Sequence, residues 1–306
     1  MTSAADALPA GRLDLVARAE ATINAGSKSF RFASRLFDRR TRERSWLLYA
    51  WCRACDDLAD GQTLGHDAVA PADPQAGLAH IRRQTGLALA GEVTGETAFD
   101  ALALVVGECG IPRRYIDDHV QGFALDARGW RPDSEADLLR YCYHVAGAVG
   151  CMMAVVMGVS PDEEDTLGRA ADLGIAFQLS NIARDLVEDA GVGRVYLPRQ
   201  WLDEVGLDDV NLVAPDQRQR LSGLADRLAV LATRFGASAR MGAARLPFRS
   251  RWAVLAAARI YGDIAKKVAA LGPRAWDKRV TTSKREKLRH VLTALGEAAR
   301  SRPRLG

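Results

Sequence analysis

The chain has 306 residues, of which 48% are hydrophobic, and its 42 Lys and Arg against 38 Asp and Glu give a net charge of +4. A chain of this length can bury a substantial core, and its mild positive charge suits an anionic substrate or membrane surface. Five cysteines are few and odd in number, which favours reduced thiols in a cytoplasmic protein over a disulfide framework. No aromatic-plus-basic module of a nucleic-acid binder is present, so we expect no nucleic-acid partner.

Helical periodicity of the apolar residues runs through almost the whole chain. The predicted helices, in chain order, cover residues 11–25, 41–60, 75–91, 96–109, 112–128, 134–157, 161–190, 215–240, 248–271 and 283–300. Loops are expected at 61–74 and 191–198, and no stretch shows the alternation of a strand. The sequence therefore predicts one all-α domain over residues 1–306, with flexible tails at 1–10 and 300–306.

Two helix boundaries carry chemical signatures. Ser160 precedes Pro161 and lies three residues before Glu163, which predicts a helix that begins at Pro161 with Ser160 as its N-cap. Gly61 follows the second predicted helix, where a left-handed glycine is expected to end it. The most apolar run, residues 145–159, is shorter than the ~20 residues that span a bilayer, so we expect a buried helix there.

A polar stripe crosses the second predicted helix, which is otherwise apolar. Its side chains are spaced by four, three and four residues and share one face: Tyr49, Arg53, Asp56 and Asp60. Two aspartates four residues apart repel each other by about 0.2–0.5 kcal/mol on an exposed helix, and more in a cleft of low dielectric. A positive group is therefore expected between Asp56 and Asp60.

The helix predicted over 161–190 carries a second stripe. Its members are spaced by three, four and four residues: Gln178, Asn181, Asp185 and Asp189. Oxygen ligands without histidine or thiolate favour a hard cation, magnesium before calcium or zinc. Arg53 and Arg184 are placed to take phosphate oxygens. If the two stripes face each other, they predict a site for magnesium and a diphosphate.

Either stripe alone has a plainer interpretation as a solvated helix face. Asp133 and Asp137 show the same spacing, and there we expect the carboxylates to favour a helix N-terminus. His144 is expected to be a core or rim histidine. Gly147 and Gly150, on the most apolar helix, either let two backbones pack closely or leave a groove open for a long apolar chain.

Four segments together resemble the squalene/phytoene synthase family. YAWCRACDDLAD (49–60) and NIARDLVEDAGVGRVYLP (181–198) are similar to its two aspartate-rich motifs. GSKSF (26–30) and RYCYHVAGAVG (140–150) are similar to its other two signatures, and all four follow the family's order. The resemblance runs from about residue 20 to 295. It implies the class I terpenoid synthase fold, a helical bundle around a central cavity.

The resemblance implies a prenyltransferase of carotenoid biosynthesis. Such an enzyme condenses two geranylgeranyl diphosphates head to head, through prephytoene diphosphate, to phytoene and releases two diphosphates. The implied cofactor is Mg²⁺, with Mn²⁺ as a substitute, and no NADPH is expected. The implied metal ligands are Asp56, Asp60, Asn181, Asp185 and Asp189. Glu188 is a rival for the role of Asp189.

Further residues match family positions that hold or process the substrate. The implied catalytic residues are Tyr49, Arg53 and Tyr141. The implied contacts to substrate or diphosphate are Ser27, Lys28, Ser29, Phe30, Tyr49, Arg53, Gln178, Arg184 and Tyr261. An aromatic face can stabilise a carbocation by about 0.5–2 kcal/mol, and an apolar cavity protects the cation from water.

Three alternatives stay open. The same chemistry on farnesyl diphosphate would give dehydrosqualene or squalene, and squalene would require NADPH. A chain-elongating prenyltransferase or terpene cyclase fits the second stripe poorly. A non-catalytic helical partner protein is the third alternative, and the intact Asp, Asn and Arg positions of both stripes argue against it.

Both the implied substrate and the implied product partition into lipid. We therefore expect a cytoplasmic protein that associates peripherally with membrane lipid, to which an arginine-rich surface contributes modestly. The first ten residues lack the charged and apolar regions of a signal peptide, in line with that location. Downstream carotenoid enzymes stay open as further partners.

Overall fold

The computed structural model describes residues 11–61, 73–208 and 210–300, without the side chains of Lys28, Ser29 and Asp60. The α-helices in chain order are α1 (Arg12–Gly26), α2 (Lys28–Ser34), α3 (Arg39–Asp60), α4 (Pro74–Ala90), α5 (Thr97–Cys109), α6 (Arg113–Asp126), α7 (Glu135–Cys142), α8 (Ala148–Val156), α9 (Glu164–Gly191), α10 (Arg199–Val205), α11 (Arg218–Ala243), α12 (Phe248–Leu271) and α13 (Lys284–Arg300). A π-helical turn over Tyr143–Gly147 joins α7 to α8. The described ranges contain no strand, and the predicted all-α class is confirmed.

All ten predicted helices are present, and the one predicted over 134–157 consists of α7, the π-turn and α8. The sequence did not predict α2 and α10, which have seven residues each, because so short a segment holds too few apolar positions to show a helical period. The predicted loop at 191–198 lies between α9 and α10. The loop predicted at 61–74 and the predicted tails fall almost entirely outside the described residues.

The start of α9 differs from the prediction. Ser160 and Pro161 lie before α9, which begins at Glu164. The Ser160 amide donates to Glu163 Oε1 at 3.2 Å, and the Glu163 amide donates to the Ser160 carbonyl at 3.0 Å. These two hydrogen bonds close a separate turn. The first backbone hydrogen bond of α9 is therefore the one that the Leu167 amide donates to the Glu163 carbonyl.

The other predicted boundaries are confirmed. Gly61 follows the last residue of α3 with φ of +60°, the left-handed conformation expected there. Ser134 caps α7, and the Asp137 carboxylate accepts from the Ser134 amide in return, which is a capping box. Asp137 therefore stabilises the N-terminus of a helix, as the sequence predicted for it.

Helix α9 packs against α8, α11 and α12 and so lies between the two larger parts of the core. Its backbone approaches the π-turn and α8 closely at two glycines. A Cβ on Gly174 would lie 2.1 Å from the Ala146 carbonyl oxygen, and one on Gly150 would lie 2.2 Å from the Ala170 carbonyl oxygen. The sequence allowed the small residues of this segment either to let two backbones pack closely or to leave a groove open. At this crossing the backbones pack closely.

The helical run Glu135–Val156 spans 22 residues and is the only run in the described part of the chain long and apolar enough to cross a membrane by length and composition. This run is longer than the apolar stretch at 145–159 because it also includes α7 and the start of the π-turn. Half of its most apolar window is buried inside the protein, and it packs against α6 and α9. We assign it to the core, in agreement with the sequence-based expectation.

Candidate active site

A cavity of about 350 Å³ lies between α3, α9 and α12, and α2, α6, α8 and α11 complete its wall. Polar side chains from both predicted stripes meet at one end of it: Tyr49, Arg53, Asp56, Gln178 and Asn181. Most of the remaining wall is apolar and includes Phe37, Val149 and Met153. The two stripes therefore face one space, which continues into an apolar channel.

Tyr49 is positioned by the end of α1 and the start of α2. Its ring stacks on Phe30 with the centroids 5.3 Å apart, and the guanidinium carbon of Arg53 lies 5.8 Å from its centroid. A Cβ on Gly26 would lie only 2.6 Å from the Tyr49 hydroxyl oxygen, so this glycine makes room for the tyrosine. Ser27 Oγ accepts from the Phe30 amide at 3.2 Å and thereby caps α2. The GSKSF segment is thus a support for Tyr49.

Arg53 provides positive charge next to the first aspartates of α3. Its Nη1 lies 3.6 Å from Asp56 Oδ2 and 3.8 Å from Asp57 Oδ1. The Asp56 side chain is 38% exposed and lines the cavity, whereas the Asp57 side chain is 19% exposed and does not line it. The helix therefore presents Asp56 to the cavity and turns Asp57 away from it.

The second stripe extends beyond the cavity wall. Gln178 and Asn181 line the cavity, whereas Asp185 and Asp189 follow on the same face of α9, one and two turns further on. Arg184 does not line the cavity. Its Nε and Nη2 donate to the two carboxylate oxygens of Asp185 at 2.8 and 2.5 Å.

Glu188 and Asp189, the two rivals for one ligand position, lie in different surroundings. The Glu188 side chain is 54% exposed and pairs with Arg279, which also donates to Asp185 at 3.1 Å. Burial, and then the neighbouring Asp185 carboxylate, raise the pKa of Asp189 to about 7. Asp189 is thus a half-buried carboxylate that nearby positive charge would help to ionise, and the choice between it and Glu188 stays a prediction.

The donor set agrees with a hard cation in its chemistry. Among the described residues, no three His, Cys, Asp or Glu side chains are close enough to hold a metal ion by themselves. The oxygen donors at this end are Asp56 on α3 and Asn181, Asp185 and Asp189 on α9. Carboxylate and amide oxygens that leave room for water and phosphate oxygens fit Mg²⁺.

Tyr141 does not line the cavity, and the catalytic role that the resemblance implied for it stays a prediction. It is 3% exposed, and its hydroxyl donates to the Asp126 carboxylate at 3.0 Å. Its ring stacks on Trp130 and on Tyr196. Tyr141 therefore joins α6, α7 and the segment after α9 inside the core, because its face of α7 points away from the channel.

Comparison with known proteins assigns the chain to a family. Residues 23–286 match the squalene/phytoene synthase family. The chain is 48% identical to the 15-cis-phytoene synthase of Pantoea ananas over 292 residues, which cover 95% of this chain and 94% of that protein. The chain belongs to the squalene/phytoene synthase family. A phytoene synthase of Pseudescherichia vulneris is 44% identical, with 94% of this chain and 93% of that protein covered.

Solved structures of the squalene/phytoene synthase family share this fold. A crystal structure of a dehydrosqualene synthase in complex with ligand superposes with a TM-score of 0.83 at 27% identity, over 94% of this chain and 98% of that chain. A squalene synthase from Alicyclobacillus acidocaldarius superposes with a TM-score of 0.75 at 22% identity, over 88% of this chain and 98% of that chain. The predicted isoprenoid synthase bundle around a cavity is thereby confirmed.

In this member of the squalene/phytoene synthase family, eight of the predicted site residues line the cavity: Ser27, Phe30, Tyr49, Arg53, Asp56, Gln178, Asn181 and Tyr261. Four do not line it: Tyr141, Arg184, Asp185 and Asp189. The side chains of Lys28, Ser29 and Asp60 lie outside the described residues.

The sequence did not point to three residues that the fold brings to the site: His119, Arg169 and Arg279. His119 on α6 is 3% exposed and lines the cavity. Its Nδ1 lies 3.3 Å from the His144 carbonyl oxygen, and its Nε2 has no hydrogen-bond partner among the described residues. Burial lowers its pKa to about 4, so the ring is neutral at pH 7. Its place on the apolar face of an amphipathic helix, beside Ile116 and Phe123, was the only signal in the sequence.

Proposed function

We propose that this enzyme is a phytoene synthase. It condenses two geranylgeranyl diphosphates head to head to prephytoene diphosphate, and then rearranges this intermediate to phytoene. Two diphosphates and two protons leave in the overall reaction, and no oxidant or reductant takes part, so the proposed activity requires no NADPH. Support comes from the 44–48% identity to phytoene synthases over most of the chain.

One observation carries the proposal at the level of geometry. A single cavity joins a polar end, with Arg53, Asp56 and Asn181, to a long apolar channel. This arrangement suits a substrate with a diphosphate at one end and a hydrocarbon chain at the other. Neither a nucleotide nor a polar metabolite would fill the apolar part.

The side chains of the cavity suit carbocation chemistry. Arg53 would exchange its long contacts of 3.6 and 3.8 Å with two aspartates for the diphosphate oxygens, to which guanidinium binds well. The stacked Tyr49 ring offers an aromatic face to the cation that forms when the diphosphate departs. The apolar wall excludes water, which would otherwise quench the cation to an alcohol.

The proposed cofactor is Mg²⁺, with Mn²⁺ as a substitute. The residues that would hold it are Asp56, Asp60, Asn181, Asp185 and Asp189. The bound ion supplies positive charge that stabilises the departing diphosphate. The raised pKa of Asp189 agrees with this proposal, because a cation nearby would favour the ionised form of this half-buried carboxylate.

The first test is a product assay. We expect the purified protein with Mg²⁺ and without NADPH to convert geranylgeranyl diphosphate to a forty-carbon hydrocarbon, and EDTA to abolish the product. Asp56→Ala is expected to lower kcat by at least about 100-fold, the loss typical of a group that stabilises developing charge.

Asp57→Ala is the matched control, because Asp57 is next in sequence and also near Arg53 but does not line the cavity. We expect a much smaller loss of kcat for Asp57→Ala. Equal losses for the two variants would contradict the assignment of Asp56. A thirty-carbon product from farnesyl diphosphate alone would instead make the enzyme a dehydrosqualene or squalene synthase, the alternative that the 27% identity to a dehydrosqualene synthase keeps in view.

We also propose that the protein is cytoplasmic and contacts the membrane peripherally. The proposed product is a hydrocarbon that cannot leave into water, and the chain carries a net charge of +4. Anionic lipid attracts such a surface by about 1 kcal/mol for each basic residue close to it.

A further inference from the structure

Helix α9 provides one continuous wall of the cavity along most of its length. The residues of α9 that line the cavity alternate in spacing between three and one: Thr166, Arg169, Ala170, Leu173, Gly174, Phe177, Gln178 and Asn181. With a rise of about 1.5 Å per residue, the wall extends about 22 Å along the helix axis. The polar residues that face the diphosphate end lie at one end of this wall, and Thr166 lies at the other.

Arg169 is a charged residue near the far end of an otherwise apolar channel, one helical turn from Thr166. Among the described lining residues, only Arg53, Asp56 and Arg169 carry charge at pH 7. The first two belong to the polar end. Arg169 precedes Asn181 by twelve residues of α9, which places it about 18 Å away along the helix axis.

The side chain of Arg169 is held across the gap between α9 and α11. Its Nε lies 3.2 Å from Asp165 Oδ2, and its Nη1 lies 3.5 Å from Ser238 Oγ. Ser238 in turn donates to Asp172 at 2.5 Å. The aliphatic stem lies on Gly242, where a Cβ would approach Arg169 Cβ to 2.7 Å. Contacts on both helices therefore hold the guanidinium in place.

A hydrocarbon chain can end against this stem but cannot easily pass it. The methylene groups of arginine offer apolar surface while the charged head stays with polar partners. A longer chain would have to move the arginine stem off Gly242 and separate the guanidinium from Asp165 and Ser238. The walls beside Arg169 are small and leave the channel open up to that point: Ala170, Ala239 and Ala243.

The position of Arg169 corresponds to a definite chain length. An extended isoprenoid unit adds four bonds of about 1.5 Å, or about 5 Å of length, so three, four and five units extend about 15, 20 and 25 Å. The separation of about 18 Å between Asn181 and Arg169 along α9 is nearest to the length of four units. We propose that Arg169 closes the channel and limits the substrate to four isoprenoid units. This inference rests on the proposed function and adds the residue that sets its upper chain length.

The test compares prenyl diphosphates of fifteen, twenty and twenty-five carbons in the full-length enzyme with Mg²⁺. We expect Arg169→Ala to raise kcat/KM for the twenty-five-carbon substrate relative to the twenty-carbon one by about tenfold or more, the range that pocket contacts with added methylenes span. A product longer than forty carbons should appear with this variant. An unchanged ratio, with forty-carbon product still formed, would overturn the role of Arg169 but not the proposed function.

Arg245→Ala is the matched control. Arg245 also binds Asp165, at 2.6 Å, and donates to Thr166 Oγ1 at 2.9 Å, but it does not line the cavity. We expect the ratio of kcat/KM for the twenty-five-carbon substrate to kcat/KM for the twenty-carbon one to equal that of the wild type. If Arg245→Ala raised this ratio as much as Arg169→Ala does, the length limit would depend on how firmly the start of α9 is held and not on the Arg169 side chain in the channel.

A second variant tests the same channel in the opposite direction. Ala239 on α11 is 3% exposed and lines the cavity. Ala239→Leu should shorten the channel and lower kcat/KM for the twenty-carbon substrate relative to the fifteen-carbon one by about tenfold. Melting temperatures identify variants that fail to fold. A wild type that makes no forty-carbon product would overturn the proposed function itself, and a limit of four units with it.

Discussion

At the scale of single residues, the surroundings of a side chain decide what it can do in this site. Asp56 and Asp57 are adjacent in sequence, yet only Asp56 reaches the cavity. His119 is a polar residue surrounded by aromatic rings, with Trp51 and Phe123 at centroid distances of 5.3 and 4.9 Å. Its neutral ring therefore contributes to the channel wall much as an apolar side chain would.

His119 predicts a dependence of stability on pH. Its pKa in the folded protein is about 4, below the ordinary value of 6.5, because the ring is buried. The stabilisation by the neutral ring is complete above pH 6.5 and is lost as the pH falls towards 4, at up to about 1.4 kcal/mol per pH unit. We expect the free energy of unfolding in urea to fall more steeply between pH 7 and 5 for the wild type than for His119→Phe. Parallel curves for the two proteins would contradict this.

At the scale of helices, the crossing of α9 with the π-turn and α8 sets the shape of the channel. Gly150 and Gly174 line the cavity and also bring the two backbones into contact. A side chain at either position would push the helices apart, since packed interiors leave no spare volume. The same two residues therefore determine packing and channel width.

This crossing predicts opposite effects for two alanine substitutions on one helix. Gly174→Ala places a methyl group 2.1 Å from a carbonyl oxygen and is expected to lower the free energy of unfolding by about 1–3 kcal/mol, the usual cost of overpacking. Gly168→Ala meets nothing within 4 Å and is expected to raise it by about 0.5–1 kcal/mol, because alanine favours helix. Chemical denaturation measures both. Equal changes in stability would mean that the close approach is not maintained in solution.

At the scale of the whole molecule, charge and an apolar product act together. The net charge of +4 is spread over an arginine-rich chain, and the channel holds a hydrocarbon in the proposed reaction. Membrane contact would give that product a route into lipid. Electrostatic attraction of this kind weakens as salt screens it.

The membrane proposal predicts salt-dependent sedimentation with vesicles. We expect the protein to sediment with vesicles that contain anionic lipid at low salt and to be released at about 1 M salt, where the Debye length is only about 3 Å. Vesicles of zwitterionic lipid are the control and should bind less protein. If all of the protein stays in the supernatant with anionic vesicles at low salt, the proposed contact is wrong.

The sequence by itself determined the helices and the residue types that meet at the polar end. Apolar spacing located ten helices, since local periodicity follows directly from residue order, and it placed two oxygen-rich stripes on two of them. The four motifs that resemble the family named the fold correctly, and the family match confirmed it. Two short helices were missed, because a few residues carry little periodic signal, and the start of α9 was predicted at Pro161, three residues before Glu164.

Only the tertiary structure decided which residues meet. It placed Tyr141 in the core with Asp126, turned Glu188 towards Arg279, and brought His119 and Arg169 to the channel. These outcomes depend on how α6, α9 and α11 are rotated and packed against one another, which is settled by contacts between residues far apart in sequence. Local spacing specifies the face of a helix on which a side chain lies, but the neighbour of that face is a property of the whole fold.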